Sequence, residues 1–285
     1  MAKKYNIAFF GTPSFTTNFL DVLDTNGYTP SLVVTNPDRP SGRGLQLQSP
    51  APKLWADSKG ILVIQPERIT DEVIAELQKN KWDLFIVIAY GHILPDELIN
   101  MPTFGTINVH YSLLPKYRGA TPVESAILNG NTATGITIQQ MRYRLDSGPI
   151  IASKSILISP TDTTTSLREK LNAEACLLLP ETISSLLNGT AALQEQDDTQ
   201  ATFCKKIKKE DGEVSLTEDP VLLDRKFRAY KPWPGTFFFA DRNGKKLRIK
   251  IKSAHLEDGR FVIDSLIPEG GKVMSFKEFE YWLKH

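Results

Sequence analysis

Two side chains that can act on a carbonyl group lie close together in the segment TINVHYSLLP, residues 106–115. Asn108 and His110 are two residues apart in a stretch that reads as a β-strand, so both side chains leave the same face. An amide can polarise a carbonyl oxygen, and an imidazole can move a proton. Asp146, in the motif LDSG at 145–148, can orient the imidazole if its loop reaches the same place. The three residues therefore predict a site that polarises a carbonyl group and moves a proton.

Both parts of this pattern also have an ordinary structural interpretation. Asn108 and His110 could form a polar pair that closes a strand end, and Asp146 could be a turn residue before a glycine. The chemical interpretation is favoured by the strand GITIQQM at 135–141, because it would return Asp146 to the edge of the sheet. The loop at 112–120 adds apolar side chains, a proline and free backbone groups, which suit a flat heterocycle with a hydrogen-bonding edge.

The bulk composition is that of an ordinary globular protein. Of 285 residues, 41% are hydrophobic and 24% are charged, which argues against disorder and leaves room for two domains. No apolar stretch is long enough for a signal peptide or a membrane span. The two cysteines, Cys176 and Cys204, offer no disulfide framework, and no Cys/His spacing predicts a zinc site. We therefore predict a cytoplasmic protein without membrane association and without a metal.

The net charge of +1 conceals a division between the two parts of the chain. From residue 201 onward there are 18 Lys and Arg against 13 Asp and Glu, whereas the first 200 residues carry 16 against 20. The positive excess is concentrated in residues 205–252, with 14 basic and 7 acidic side chains. This asymmetry indicates either a second part that meets a polyanion or a solvated lysine-rich surface.

Alternating strands and helices in the first half predict a doubly wound α/β domain with a mainly parallel, Rossmann-like sheet. The predicted strands are at 7–10, 32–35, 62–64 and 84–89, and the predicted helices are at 14–25 and 70–79. The last of these strands, LFIVIA, is apolar on both faces, as expected for a parallel strand covered by helices. Ligands of such sheets lie beyond the carboxyl ends of the strands, where Asn108 and His110 fall. The first turn, at 11–14, lacks the GxGxxG pattern and does not predict a dinucleotide site.

A long helical pattern at 164–187 closes the first domain, and Pro180 within it should kink or split the helix. The polar stretch at 194–202 then predicts a linker. We place the boundaries at 1–190 for the first domain, 191–204 for the linker and 205–285 for the second domain.

The second domain is predicted to be a small β-barrel of the OB type. Two strands, at 237–240 and 247–251, flank an Asn-Gly pair at 243–244, which is a strong hairpin signal. In the second strand apolar residues alternate with basic ones, among them Arg248 and Lys250, so one face can enter a core while the other is cationic. Small antiparallel barrels of this kind often bind oligonucleotides.

Two further basic features could meet an anionic partner. The loop at 36–49, NPDRPSGRGLQLQS, is rich in proline and glycine and carries Arg39 and Arg43. It is either a mobile surface excursion or a lid over a large anionic substrate. Lys206 and Lys208 belong to a lysine cluster directly after the predicted linker, which is either a solvated patch or part of a basic binding surface.

Across these motifs the chain resembles the methionyl-tRNA formyltransferase family, within the wider group of enzymes that use 10-formyltetrahydrofolate. The likeness runs through FFGTPSF, VTNPDRPSGRG with SPAPK, AYGHILP, INVHYSLLPKYRGATPVESAILNG, TGITIQQM, LDSGPII, KPWPG and LIPEGGKVMSFKEF. The Asn-x-His-x-SLLP element with a distant Asp is common to the folate formyltransferases, so it indicates the chemistry. PDRPSGRG and the C-terminal β domain favour the tRNA enzymes among them.

The resemblance implies a role for each candidate residue. Asn108, His110 and Asp146 match the catalytic positions. The residues implied to contact the folate are Ser112, Leu113, Leu114, Pro115 and Tyr90. The residues implied to bind tRNA are Arg39, Arg43, Lys206, Lys208, Arg248 and Lys250.

The activity that the resemblance implies is transfer of the formyl group of 10-formyltetrahydrofolate to the amino group of methionyl-initiator-tRNA, by a monomer. One alternative is a sugar N-formyltransferase that uses the same donor on a nucleotide-linked amino sugar. Another is a folate- or RNA-binding protein without activity. The cationic face of the predicted strand at 247–251 and the RPSGRG loop favour tRNA over a sugar. The intact Asn/His/Asp set argues against a protein that only binds its ligands.

Overall fold

The computed structural model describes residues 5–41 and 46–285. Its strands are β1 (Ile7–Gly11), β2 (Leu32–Val34), β3 (Arg39–Ser41), β4 (Gln46–Gln48), β5 (Leu62–Ile64), β6 (Leu84–Ile88), β7 (Thr106–His110), β8 (Arg118–Gly119), β9 (Ala133–Gln140), β10 (Ile150–Leu157), β11 (Phe203–Cys204), β12 (Phe237–Arg242), β13 (Lys245–Glu257), β14 (Arg260–Pro268) and β15 (Met274–Ser275). Its α-helices are α1 (Thr17–Thr25), α2 (Ala51–Ser58), α3 (Asp71–Gln78), α4 (Asp96–Ile99), α5 (Pro122–Leu128), α6 (Thr164–Leu187), α7 (Pro220–Ala229) and α8 (Phe276–Lys284). Short 3-10 helices lie at Ser14–Thr16, Asp198–Gln200 and Lys209–Gly212.

The chain forms two compact units that interleave along the sequence. The first comprises Met1–Arg118, Gly135–Ser155 and Leu171–Thr202, and the second comprises Gly119–Thr134, Ile156–Lys170 and Phe203–His285. The domain boundaries proposed from the sequence stay a prediction.

The first unit is built around a seven-stranded sheet in the order β10-β9-β7-β6-β1-β2-β5. β5, β2, β1, β6 and β7 are parallel, and β9 is antiparallel to β7. The predicted doubly wound, mainly parallel α/β fold is therefore confirmed. β7 is the last of the parallel strands and carries the candidate residues Asn108 and His110. It lies next to the antiparallel strand β9.

The central strands β1 and β6 are buried along their whole length, as expected for strands that are covered on both faces. Phe10 and Phe85 from these strands pack in one core with Trp82 and Leu98. The predicted strand at 84–89 is confirmed except for its last residue. Ala89 leaves the strand with a φ of 50°.

The long helix α6 has the predicted bounds, and of the two predicted effects of Pro180, a kink or a split, the split does not occur. The helix runs unbroken through Pro180. A stripe of side chains four residues apart is completely buried along it: Leu167, Leu171, Ala175, Leu179 and Ile183. Burial of this stripe outweighs the one backbone hydrogen bond that a proline removes.

The predicted linker contains regular structure in its second half. Gln194 exchanges two backbone hydrogen bonds with Ile150, at 2.8 and 2.9 Å. A 3-10 helix at Asp198–Gln200 follows, and Asp197 caps it by accepting a hydrogen bond from the Thr199 backbone N–H. These residues are therefore held in place by both backbone and side-chain contacts.

The second unit contains a four-stranded antiparallel sheet in the order β12-β13-β14-β15, which confirms the predicted β-rich second part. Asn243 and Gly244 both have positive φ, 53° and 77°, as a tight hairpin turn requires. The predicted alternation along β13 is also found, because Ile249 and Ile251 are buried and Lys250 is exposed. Among the described helices, none has the length and apolarity needed to cross a bilayer.

Candidate active site

β7 carries Asn108 and His110 to the carboxyl end of the parallel strands. In the antiparallel pairing with β9, Asn108 lies opposite Gln139 and His110 lies opposite Thr137. Residues directly opposite each other in an antiparallel pair project from the same face. Four polar side chains therefore share one face of two neighbouring strands.

His110 is buried and makes contacts through both ring nitrogens. It is 6% exposed, and its Nε2 lies 2.8 Å from the carbonyl oxygen of Tyr117. Because a carbonyl oxygen can only accept, Nε2 carries a proton and donates it. Nδ1 lies 3.6 Å from Oδ2 of Asp146. Nδ1 is therefore the ring atom left to exchange a proton beside the Asp146 carboxylate.

Asp146 reaches this position through a tight loop between β9 and β10. Its carboxylate accepts a hydrogen bond from Nε2 of Gln139 at 3.0 Å. Its φ of 46° is in the left-handed region that residues other than glycine rarely adopt. Strain of this kind concentrates at functional sites. The structure thus brings Asn108, His110 and Asp146 together at one end of the sheet, and their catalytic roles stay a prediction.

Asn108 is tied to the neighbouring strand and keeps one donor. Its Nδ2 donates to the carbonyl oxygen of Val87 on β6 at 3.0 Å, and its Oδ1 lies 3.4 Å from Nε2 of Gln139. An amide nitrogen has two hydrogens. Among the residues that the structure describes, the second hydrogen meets no acceptor. It is available to a substrate oxygen.

Gln139 links two of the three candidate residues, Asn108 and Asp146, and sequence reasoning did not identify it. Its Nε2 serves both Asn108 and Asp146, and its Oε1 accepts from the backbone N–H of Gly148 at 3.2 Å. It is 1% exposed. The available signal was its place in ATGITIQQ, where Thr137 and Gln139 alternate with buried isoleucines. Polar residues at buried strand positions require partners, and such partners are often functional groups.

Thr137, the other polar residue on this face of β9, fixes the loop that was implied to contact folate. Its Oγ1 donates to the carbonyl oxygen of Ser112 at 2.7 Å and accepts from the backbone N–H of Leu114 at 3.1 Å. The Oγ of Ser112 donates to the carbonyl oxygen of Lys116 at 2.5 Å. The loop from Ser112 to Pro115 is therefore rigidly anchored next to His110.

A cavity of about 510 Å³ lies beside Asp146 in the first unit. Its lining includes His92, Ile93, Gln139, Tyr143, Leu145 and Asp146. Ile93, Tyr143 and Leu145 are large apolar side chains that are 81%, 62% and 59% exposed. Apolar side chains left open around a concave site are typical of a surface that a ligand covers.

The residues implied to bind the cofactor do not line this cavity. Ser112 and Leu114 are buried. Tyr90 is 2% exposed, and among the described residues its hydroxyl has no hydrogen-bond partner. Burial raises the pKa of Tyr90 to about 12. Burying a hydroxyl group without a hydrogen-bond partner lowers the free energy of unfolding. The folate contacts of Ser112, Leu113, Leu114, Pro115 and Tyr90 stay a prediction.

The residues implied to bind tRNA fall in both units. In the first unit Arg39 forms an ion pair with Glu67. It is the first residue of β3, which pairs antiparallel with β4. Arg43 lies outside the described residues. In the second unit Lys206, Lys208 and Lys250 are exposed. The guanidinium of Arg248 lies 3.6 Å above the centre of the Phe237 ring. That these six residues bind tRNA stays a prediction.

Gly148 is expected to tolerate no side chain. A Cβ placed on it would lie 1.7 Å from the carbonyl oxygen of Gln140. Gly148→Ala should therefore displace the loop and lower the turnover number by about 10²-fold, because a misplacement of about 1 Å is enough for that loss. The measurement is the steady-state rate of the formyl transfer that the resemblance implies, with thermal unfolding alongside. Gly271→Ala is the control, since its Cβ would lie no nearer than 3.2 Å to any atom outside its immediate neighbours. Wild-type activity in Gly148→Ala would contradict the prediction.

No group of three or more His, Cys, Asp or Glu side chains in residues 5–41 and 46–285 is arranged to hold a metal ion.

Sequence comparison connects the chain with formyltransferases along most of its length. A profile described as formyl transferase matches residues 5–183, and one described as formyl transferase, C-terminal domain, matches residues 206–262. The methionyl-tRNA formyltransferase of Geobacter metallireducens is 39% identical over 256 residues, which cover 90% of this chain and 82% of that protein. The methionyl-tRNA formyltransferase of Chloroflexus aggregans is 42% identical over 244 residues, which cover 85% of this chain and 78% of that protein.

Solved structures with the same fold include other N-formyltransferases. An N-formyltransferase from Helicobacter canadensis, solved with folinic acid and dTDP-3-aminofucose, has a TM-score of 0.66 and 18% identity, covering 95% of this chain and 98% of that one. A 4-N formyltransferase from Francisella tularensis has a TM-score of 0.67 and 17% identity, covering 89% of this chain and 99% of that one. At these identities the likeness establishes the fold alone.

Proposed function

The chain belongs to the methionyl-tRNA formyltransferase family, and we propose that it transfers the formyl group of 10-formyltetrahydrofolate to the amino group of methionyl-initiator-tRNA. The proposal is supported above all by one observation: the side chains of Asn108, His110 and Asp146 lie close together beside a ligand-sized cavity. The alternative substrate, a nucleotide-linked amino sugar, is suggested by a structure solved with dTDP-3-aminofucose, which is only 18% identical. The relatives near 40% identity favour tRNA.

Asn108, His110 and Asp146 each have a different role in this reaction. The folate supplies the formyl group. The acceptor amine adds to the formyl carbon, and the bond from that carbon to the folate nitrogen breaks afterwards, when the carbonyl group forms again. Negative charge collects on the formyl oxygen, where the remaining N–H of Asn108 can stabilise it. The amine loses a proton and the folate nitrogen gains one. His110 can carry that proton through Nδ1, and Asp146 stabilises the charged imidazole.

The cavity beside Asp146 is suited to the ring system of the donor. Its exposed apolar side chains can cover the faces of a flat heterocycle, and backbone groups of the loop at 142–146 can meet its polar edge. A donor bound there would have its transferable group next to the Asp146 carboxylate. We therefore assign the cavity to the folate and place the acceptor amine beside half-buried Asn108.

A direct comparison of acceptors tests the proposal. The protein is incubated with 10-formyltetrahydrofolate and, in separate reactions, with charged initiator tRNA or with a nucleotide-linked amino sugar. We expect formylmethionyl-tRNA and no formylated sugar. Transfer only to the sugar would establish the alternative. Binding of folate or tRNA without any transfer would instead identify a binding protein.

The cationic face of the hairpin β12–β13 is proposed to contact the tRNA backbone. Lys250→Gln should weaken tRNA binding and reduce the slope of log K against log salt by about 1, because one phosphate contact is lost. Turnover at saturating tRNA should stay at the wild-type value. Binding is measured at several salt concentrations. The control is Lys272→Gln, an exposed lysine outside this hairpin. Equal slopes for Lys250→Gln and the wild type would remove Lys250 from the interface.

We also propose that the protein acts as a monomer in the cytoplasm, where charged tRNA is used. Sedimentation at the concentration of the transfer assay checks the oligomeric state.

A further inference from the structure

Residues 195–198, which the sequence presents as part of a linker, hold the loop at 142–148 through three side chains. We call these residues the clasp. Glu195 forms a two-bonded ion pair with Arg142, at 2.9 and 2.5 Å. Asp198 pairs with Arg144 at 2.6 Å. The loop that they hold carries Asp146 and forms one wall of the cavity.

Gln196, between these two ion pairs, contacts the backbone of the loop. Its Nε2 donates to the carbonyl oxygen of Asp146 at 2.9 Å and to that of Gly148 at 2.7 Å. Both hydrogens of one amide are therefore used on two carbonyl groups that flank Ser147. No other residue type of this length could supply two such donors together with an acceptor.

The acceptor of Gln196 is held by the most deeply buried charged residue of the described chain. Arg118 has no exposed surface, and its Nε and Nη2 donate to Oε1 of Gln196 at 3.1 and 2.7 Å. Nη2 also lies 2.8 Å from Oδ1 of Asp198. Burying a guanidinium costs less free energy when it donates hydrogen bonds and pairs with a carboxylate, as Arg118 does with Gln196 and Asp198. Arg118 thus holds Gln196 and Asp198 of the clasp in place.

The two ion pairs of Asp198 strengthen this arrangement. Hydrogen bonds from Arg118 and then from Arg144 lower the pKa of Asp198. The carboxylate therefore stays charged to a lower pH than an ordinary aspartate, and it pairs with both arginines. Asp198 therefore connects the buried Arg118 to Arg144 in the loop at 142–148.

The loop requires such support because its backbone is strained. Asp146 has positive φ, and Gly148 packs so closely on Gln140 that no Cβ fits. The carboxylate of Asp146 is restrained from one side by Gln139. Gln196 restrains the peptide groups on either side of Ser147. Neither contact alone fixes both the backbone and the carboxylate.

We propose that Gln196, anchored by Arg118, is a positioning residue for formyl transfer that holds Asp146 against His110. This inference rests on the proposed function. It makes the clasp part of the catalytic machinery, although residues 195–198 lie about 50 residues beyond Asp146 in the chain.

The test is a double-mutant cycle between Gln196 and Asp146. Gln196→Glu keeps the shape of the side chain and the acceptor for Arg118, but it replaces the two donated hydrogens with an oxygen. We expect turnover to fall by about 10- to 100-fold, while KM for tRNA changes by less than about twofold. In the Asp146→Asn background the same substitution should have no further effect, because its partner is already inactive. Gln200→Glu, an exposed glutamine nearby, is the charge-matched control.

A second measurement separates positioning from general damage. Hydrogen exchange of the amides in 142–148 should rise in Gln196→Glu and stay unchanged in Gln200→Glu. If Gln196→Glu unfolds at the assay temperature, Gln196→Asn replaces it, since the shorter amide cannot span both carbonyl groups. Wild-type turnover in the Gln196 variant, or an equal loss in both backgrounds, would overturn the inference.

The proposed function is checked separately in the same series. If the wild-type protein transfers no formyl group, that function fails, and hydrogen exchange alone decides whether the clasp holds the loop. In that case unchanged exchange in Gln196→Glu would overturn the clasp as well.

Discussion

Asn108→Ala is expected to lower the turnover number for formyl transfer by about 10²–10³, the usual effect of removing one donor to an oxyanion. The substitution removes the N–H that meets no acceptor among the described residues, and with it the proposed contact to the formyl oxygen. KM for tRNA should change little, because this hydrogen bond strengthens mainly in the transition state. The measurement is steady-state transfer at saturating folate and varied tRNA.

The same substitution should also cost some stability, and the two effects can be separated. Asn108 donates to Val87 at 3.0 Å, and loss of that bond should lower the free energy of unfolding by about 1–3 kcal/mol. Turnover is therefore normalised to the folded fraction. Asn188→Ala is the control, because Asn188 is an exposed amide after α6. If normalised turnover of Asn108→Ala matches that of Asn188→Ala, Asn108 does not stabilise the oxyanion.

The part of the site that depends on local periodicity could be read from the sequence. Alternation along a strand has a period of two, so an Asn-x-His segment places both side chains on one face wherever the strand lies. Apolar runs that suit both faces of a sheet predicted β1 and β6 in the same way. These predictions hold because they need no knowledge of the strand's neighbours.

The part that depends on which segments meet could not be read in this way. Gln139 stands out as a partner of Asn108 only when the register of β7 against β9 is known. Gln196 lies in a polar stretch of linker composition, and its two contacts to the loop of Asp146 are far away in sequence. Pro180 shows the opposite case, because a local rule predicted a kink or a split, and the buried stripe of α6 keeps the helix from splitting.

His110→Gln is expected to lower turnover by about 10²–10⁴, the contribution of a positioned acid or base. A glutamine can still donate from the place of Nε2 to the carbonyl oxygen of Tyr117, so the melting temperature should fall only slightly. What it loses is the nitrogen at the place of Nδ1, which faces Asp146. Steady-state transfer and thermal unfolding are measured together, with His285→Gln at the exposed C-terminus as the control.

His110→Asn distinguishes proton transfer from hydrogen-bond donation at the same position. Its amide nitrogen can reach the place of Nδ1 and donate a hydrogen bond, but it cannot gain and release a proton near neutral pH. One recovered hydrogen bond is worth about 1 kcal/mol, so His110→Asn should be no more than about tenfold faster than His110→Gln. Recovery to the wild-type rate would mean that His110 only donates, and the proton would then have to travel by another group. A turnover number of His110→Asn that stays about tenfold or more below the wild-type value would keep the proton on the imidazole, where Asp146 can stabilise it.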